Sequence, residues 1–130
     1  MPDGNLVAVC TDLGFVSERV REGITGSNVV VMESNHDVDM LKTGPYPFYL
    51  KERVLSRRGH LSNVDCAAEL PHLVKNGTTR FILAHLSQEN NLPALAQRTA
   101  LATLKGNGME ENKDFLLKVA SVCSPTTFTL

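Results

Sequence analysis

Most of the usual signposts are missing from these 130 residues. No apolar run approaches the ~18–20 residues that a bilayer span needs, so no transmembrane helix is expected. The first residues, Met-Pro-Asp-Gly-Asn, offer neither the basic nor the apolar region of a secretory leader, and none is expected. The three cysteines, Cys10, Cys66 and Cys123, are odd in number and far apart, with no Cys-x-x-Cys pair. That argues against a disulfide framework or a zinc knuckle and suits a reducing cytoplasm, the expected location. Charge is almost balanced, 13 basic against 14 acidic residues for a net −1. No global field therefore draws the chain to nucleic acid or to an anionic membrane, and any such binding must come from a local patch. There is no Gly-x-Gly-x-x-Gly and no P-loop, so neither common phosphate cradle is present. Internal repeats, low-complexity tracts and a convincing linker are also lacking, and residues 1–130 read as a single unit with 42% apolar residues.

What is present is an alternation of strands and helices. Leu6 to Cys10, Asn28 to Met32 and Arg80 to Ala84 are short apolar runs rich in β-branched and aromatic residues, the pattern of strands buried on both faces. Between the first two, Ser17 as N-cap and Glu18 in the first turn predict a short helix over 17–23, giving a βαβ-like unit with parallel strands. Short helices are expected over 36–43, stopped by Gly44, and from Phe48 to Leu55. The Ser62-x-x-Asp65 capping box predicts a helix from about 63 to Asn76-Gly77, with Pro71 a place for a kink or split. Asn91 is read as the cap of a helix to about 104, with Pro93 in its first turn. Phe115 to Cys123 and Thr126 to Leu130 are further strand candidates. The fold class is α/β.

In open parallel sheets, ligands gather beyond the carboxyl ends of the strands. Asp12 ends the first strand, Glu33 with His36 and Asp37 follows the second, and His85 ends the third. His60, just before a helix start, can reach the same edge. Carboxylates and imidazoles are the ligand set of zinc or manganese hydrolases. Each residue also has a plain structural reading. Asp12 can cap the Leu13-Gly14 turn, His85 can bond backbone at a strand end, His60 can serve the helix start, and Glu33 and Asp37 can be solvated loop acids. His72, inside a helix, is read as structural. Lys51, Arg53, Arg57 and Arg58 form a basic run that is either a solvated helix face or a phosphate-holding patch.

Glu-Ser-Asn-His-Asp at 33–37 with Met40-Leu41, Gly44-x-Tyr46-Pro47, Leu50-Lys51, Ser56 and Gly-His-Leu-Ser-Asn at 59–63 forms a specific combination. With Thr-Asp-x-Gly at 11–14 and His-Leu-Ser-x-Glu-Asn-Asn at 85–91, it resembles the YycJ/WalJ-like branch of metallo-β-lactamase-fold hydrolases, relatives of the ribonuclease Z-like nucleases. The resemblance runs through nearly the whole chain. It implies a metal-dependent phosphodiesterase, a DNA exonuclease, with two divalent ions, zinc or manganese. By the same resemblance Asp12 matches the aspartate that bridges the metals, and His85 matches the late histidine ligand. His60 looks like the histidine that protonates the leaving oxygen. Glu33 to Asp37 are placed at the rim of the site, with His36, Arg57 and Arg58 as candidates for substrate phosphate.

The family's defining His-x-His-x-Asp-His motif does not occur in these 130 residues. The chain therefore resembles the C-terminal half of a four-layer αββα sandwich, a mixed sheet with flanking helices. Two ligands hold a divalent ion poorly, since catalytic zinc sites use at least three from protein. The expectations that follow are an exposed apolar sheet face and a missing N-terminal half or self-association. The alternative to an enzyme is a catalytically inactive fragment or subunit completed by another chain. The expected substrate is nucleic acid, DNA above RNA, with no membrane partner.

Overall fold

The computed structural model describes residues 6–11, 14–56 and 59–120. Four strands, β1 (Val7–Cys10), β2 (Val29–Glu33), β3 (Arg80–Ala84) and β4 (Leu116–Val119), form one sheet in the order β1-β2-β3-β4. Five helices connect them: α1 (Glu18–Ile24), α2 (Val38–Thr43), α3 (Phe48–Leu55), α4 (Asn63–Lys75) and α5 (Pro93–Gly106). All pairings among these strands are parallel, with Val30 beside Phe81 and Phe81 beside Leu117. The expectation was a mixed sheet; the strand candidate at 126–130 lies outside the described residues. The α/β architecture, one parallel sheet with flanking helices, is compatible with half of a metallo-β-lactamase sandwich.

Local chemistry sets the helix starts. Ser17, Asp37 and Ser62 each accept a hydrogen bond from a backbone N–H in the first turn of α1, α2 and α4. These bonds satisfy groups the helix cannot satisfy itself. Asp37 is thus a cap rather than a solvated acid. Helix α4 runs unbroken through Pro71, which is buried along its core side. Helix α5 begins one residue later than expected, with Leu92 at the N-cap and Pro93 in the first turn.

The two sheet faces differ. Val30, Met32, Phe81, Leu83 and Leu117 pack with Leu70 and Leu73 of α4 and Ala96, Ala100 and Leu104 of α5 into the core. The small alanines let α5 lie close to α4, against which it packs. Side chains alternate along a strand, so Val9, Val31, Ile82 and Lys118, aligned by register, belong to the opposite face. There Val7 is 58% and Val9 66% exposed, and Val31 and Ile82 are only half-buried. Glu33 ends β2 on this opposite face. The expected apolar, incompletely covered face is present.

Candidate functional site

Register brings the site together. Glu33 pairs laterally with Ala84, so His85 is one step beyond it on the neighbouring strand. The segment before α4 is laid alongside by backbone bonds from Asn35 N–H to the Leu61 carbonyl and from Asn63 N–H to the His36 carbonyl, both 2.8 Å. This pairing delivers His60 to the same sheet edge.

Glu33 is fully buried. Its Oε2 lies 3.0 Å from His60 Nδ1 and accepts the Leu61 N–H at 3.0 Å. Its Oε1 pairs with His85 Nδ1. A carboxylate accepts only, so each imidazole carries its proton at Nδ1 toward Glu33. The two rings meet edge-to-face, 5.2 Å between centroids and 70° between planes. Their side chains are 33% and 46% exposed, against none for Glu33. His60 and His85 line a cavity of about 390 Å³ with Asn35, Tyr46, Gln88 and Asn90. His85 sits at φ 58°, a left-handed conformation uncommon for a side chain of this size. Asn35 Nδ2 donates to its carbonyl at 2.8 Å and helps fix that turn.

Behind the cavity lies a buried polar knot. Ser34 Oγ donates to Asn63 Oδ1 at 2.6 Å, Asn63 Nδ2 to Asn91 Oδ1 at 2.8 Å, and Asn91 Nδ2 to the Ser34 carbonyl at 2.9 Å. It ties the ends of β2, α4 and α5 together. Asn91 thus serves the knot and holds the Leu92 N–H, where the sequence suggested a helix cap.

The predicted residues are distributed unevenly. His60 and His85 converge. His36 is buried, 1% exposed, and burial, with His60 nearby, pushes its pKa down. A ring this buried offers no open surface for the phosphate contact expected of it. Asp12, Arg57 and Arg58 lie outside the described residues. Glu33 was placed at the rim, yet it is the centre of the cluster; the available signal was a carboxylate directly ending an apolar strand. His72 lies apart, with Nε2 3.2 Å from Thr25 Oγ1. Burial raises the thiol pKa of Cys10 and pushes that of Cys66 up to about 12.

The cluster is a possible metal-binding group, with Glu33 able to serve either as a ligand or, while it holds both Nδ1 atoms, as the carboxylate behind the imidazoles. Glu33, His60 and His85 each offer one ligand atom, all within 4.8 Å of one another. Carboxylate oxygen and imidazole nitrogen suit zinc or manganese. Among the described residues no helix is long and apolar enough to cross a membrane.

Comparison with known proteins returns the branch read from the motifs. The chain is 38% identical over 120 residues to the exodeoxyribonuclease YycJ of Bacillus anthracis, covering 92% of the chain and 46% of that protein. It is 36% identical over 129 residues to the exodeoxyribonuclease WalJ of Streptococcus pneumoniae, covering 99% of the chain and 48% of that protein. The chain is a homologue of these proteins and spans about half the length of the curated relatives it matches. No family model matches it, and no solved structure does.

Proposed function

From this homology to the YycJ/WalJ exodeoxyribonucleases, we propose that the chain forms part of the active site of a metal-dependent phosphodiesterase that degrades DNA. The observation that carries the reading is the buried Glu33 carboxylate gripping His60 and His85 by their Nδ1 atoms. A carboxylate behind an imidazole fixes its tautomer and raises its basicity, which is how metal-binding and proton-transferring histidines are prepared. His85 Nε2 and Asp12 would hold the divalent ions, which supply a low-pKa water and neutralise phosphate charge. His60, protonated, carries a proton at Nε2 and gives it to the leaving oxygen, while Glu33 stabilises the imidazolium through Nδ1. Asn35 and the Ser34–Asn63–Asn91 knot hold both rings in place. Arg57 and Arg58 are proposed to meet substrate phosphates. The remaining ligands belong to a half carrying the His-x-His-x-Asp-His motif.

Reconstitution tests this. The chain is joined to such a half and assayed on single- and double-stranded DNA with Mn²⁺ or Zn²⁺. Hydrolysis is expected, reduced ~10²–10⁴-fold by His60→Ala, with metal affinity reduced ~10–100-fold by Glu33→Gln. Hydrolysis that is absent, or indifferent to His60→Ala, overturns the assignment. A second reading, an inactive fragment or a subunit completed by another chain, is favoured by the missing motif. It predicts fewer than one tightly held metal per isolated chain by elemental analysis.

A further inference from the structure

Charge in this chain is segregated. Residues 42–58 hold Lys42, Lys51, Arg53, Arg57 and Arg58 against Glu52, a net +4, so the rest of the chain, at −1 overall, carries −5. The same stretch holds Tyr46, Phe48 and Tyr49, three of the seven aromatic residues. Much of it is helix α3, which buries no residue at all. Phe48 is 75%, Tyr49 69% and Leu55 43% exposed. Phe48, Lys51, Glu52 and Leu55 recur at helical spacing along one side, where with Lys42 they line an open groove of about 370 Å³. An adjacent side of the same helix meets the catalytic cavity, which Val54 and the preceding Tyr46 line.

We propose that α3 and its flanks are a stacking platform for a single, unpaired nucleic-acid strand next to the cavity. Exposed flat rings accept bases, and the ammonium and guanidinium groups beside them accept the phosphates between those bases. A duplex keeps its bases stacked inside and cannot use the rings, so the platform selects an unpaired strand. The charge argues for this occupant over a protein layer: Lys42, Lys51 and Arg53 against one Glu52 fit a polyanion. Lys51 Nζ also donates to the Lys42 carbonyl at 2.7 Å, bridging the end of α2 and α3 beside the groove. The position of the platform rests on the phosphodiesterase reading above; its binding does not.

The test is binding to the full chain without metal. A short fluorescein-labelled oligothymidylate and a duplex of equal length are titrated by anisotropy at several salt concentrations. The single strand is expected to bind with a steep salt dependence and to bind about 10-fold or more weakly to the Phe48→Ala/Tyr49→Ala variant. Phe48→Trp, which keeps a stacking ring, is expected to hold wild-type affinity, and duplex affinity should not respond to either change. The chain has no tryptophan, and its only tyrosines are Tyr46 and Tyr49. Fluorine NMR of 3-fluorotyrosine-labelled protein therefore reads this region alone, and the Tyr49 resonance should shift with added strand. Absence of single-strand binding, or equal weakening for duplex and single strand, overturns the proposal. So does self-association abolished by the double variant while strand affinity is unchanged, which would make α3 a protein contact. Strand binding without hydrolysis in the reconstituted protein sinks the phosphodiesterase reading and leaves the platform standing; hydrolysis without platform binding does the reverse.

Discussion

Glu33 is fully buried, and the Leu61 N–H and the Nδ1 atoms of His60 and His85 converge on its two oxygens. A buried charge costs several kcal/mol when left unpaired, so the histidines stabilise the fold as well as serving the site. His36, three residues on, has the opposite character. Burial is the main cause of its lowered pKa, outweighing the pull of Glu33, Asp65 and Asp37. Its folded pKa lies below the unfolded value of about 6.5, so the unfolded chain binds more protons on the acid side. The stability from a neutral His36 is complete above about pH 6.5 and is lost as pH falls toward the folded pKa. Urea midpoints measured from neutral to mildly acidic pH should fall less steeply for His36→Asn than for wild type; equal slopes would refute this. The sequence showed that carboxylates and imidazoles gather at one sheet edge, but not their order. Glu33 and His36 are both polar residues after the same strand, and only the Asn35–Leu61 and Asn63–His36 pairings decide which is covered by histidines and which by backbone.

At the level of elements, the α3–α4 junction holds the closest approach found at any described glycine. A Cβ on Gly59 would lie 2.2 Å from the Val54 carbonyl oxygen and 2.3 Å from that of Arg53. Gly59→Ala must therefore push α3 away from the segment carrying His60. A stability loss of about 1–3 kcal/mol is expected from the overpacking, together with a shift of the His60 Nδ1–H resonance. An unchanged melting curve would show that the junction yields freely. Strand cores, the capping serines and Gly44 as the stop of α2 were all legible, because these signals act within a few residues of where they are written. Asn91 was legible only as a cap. Its partners Ser34 and Asn63 are 57 and 28 residues away, and no local pattern announces a bond over that distance. Pro71 was a marker for a break, yet burial against the core keeps α4 continuous.

On the scale of the molecule, one sheet face is covered by helices and the other carries exposed Val7 and Val9 on β1, the outer strand of the four described. An exposed apolar face of this kind invites packing against another apolar surface. Val9→Lys, at a residue 66% exposed, is expected to lower self-association of the isolated chain without lowering its melting temperature. Sedimentation velocity checks this, and unchanged association would show that the face is not the sticky one. The polar knot has a further consequence, for the order of folding. Residues 34, 63 and 91 belong to segments separated by helical crossovers, and such distant closures come late in a parallel sheet. A chain that has paired β1 with β2 alone has Glu33 but neither histidine, so its carboxylate must stay hydrated at the sheet edge. In the folded chain both β3 and the segment before α4 are needed to cover Glu33, so its burial is tied to register: a slip of β3 by one residue would exchange the faces of its side chains and separate His85 from the carboxyl group.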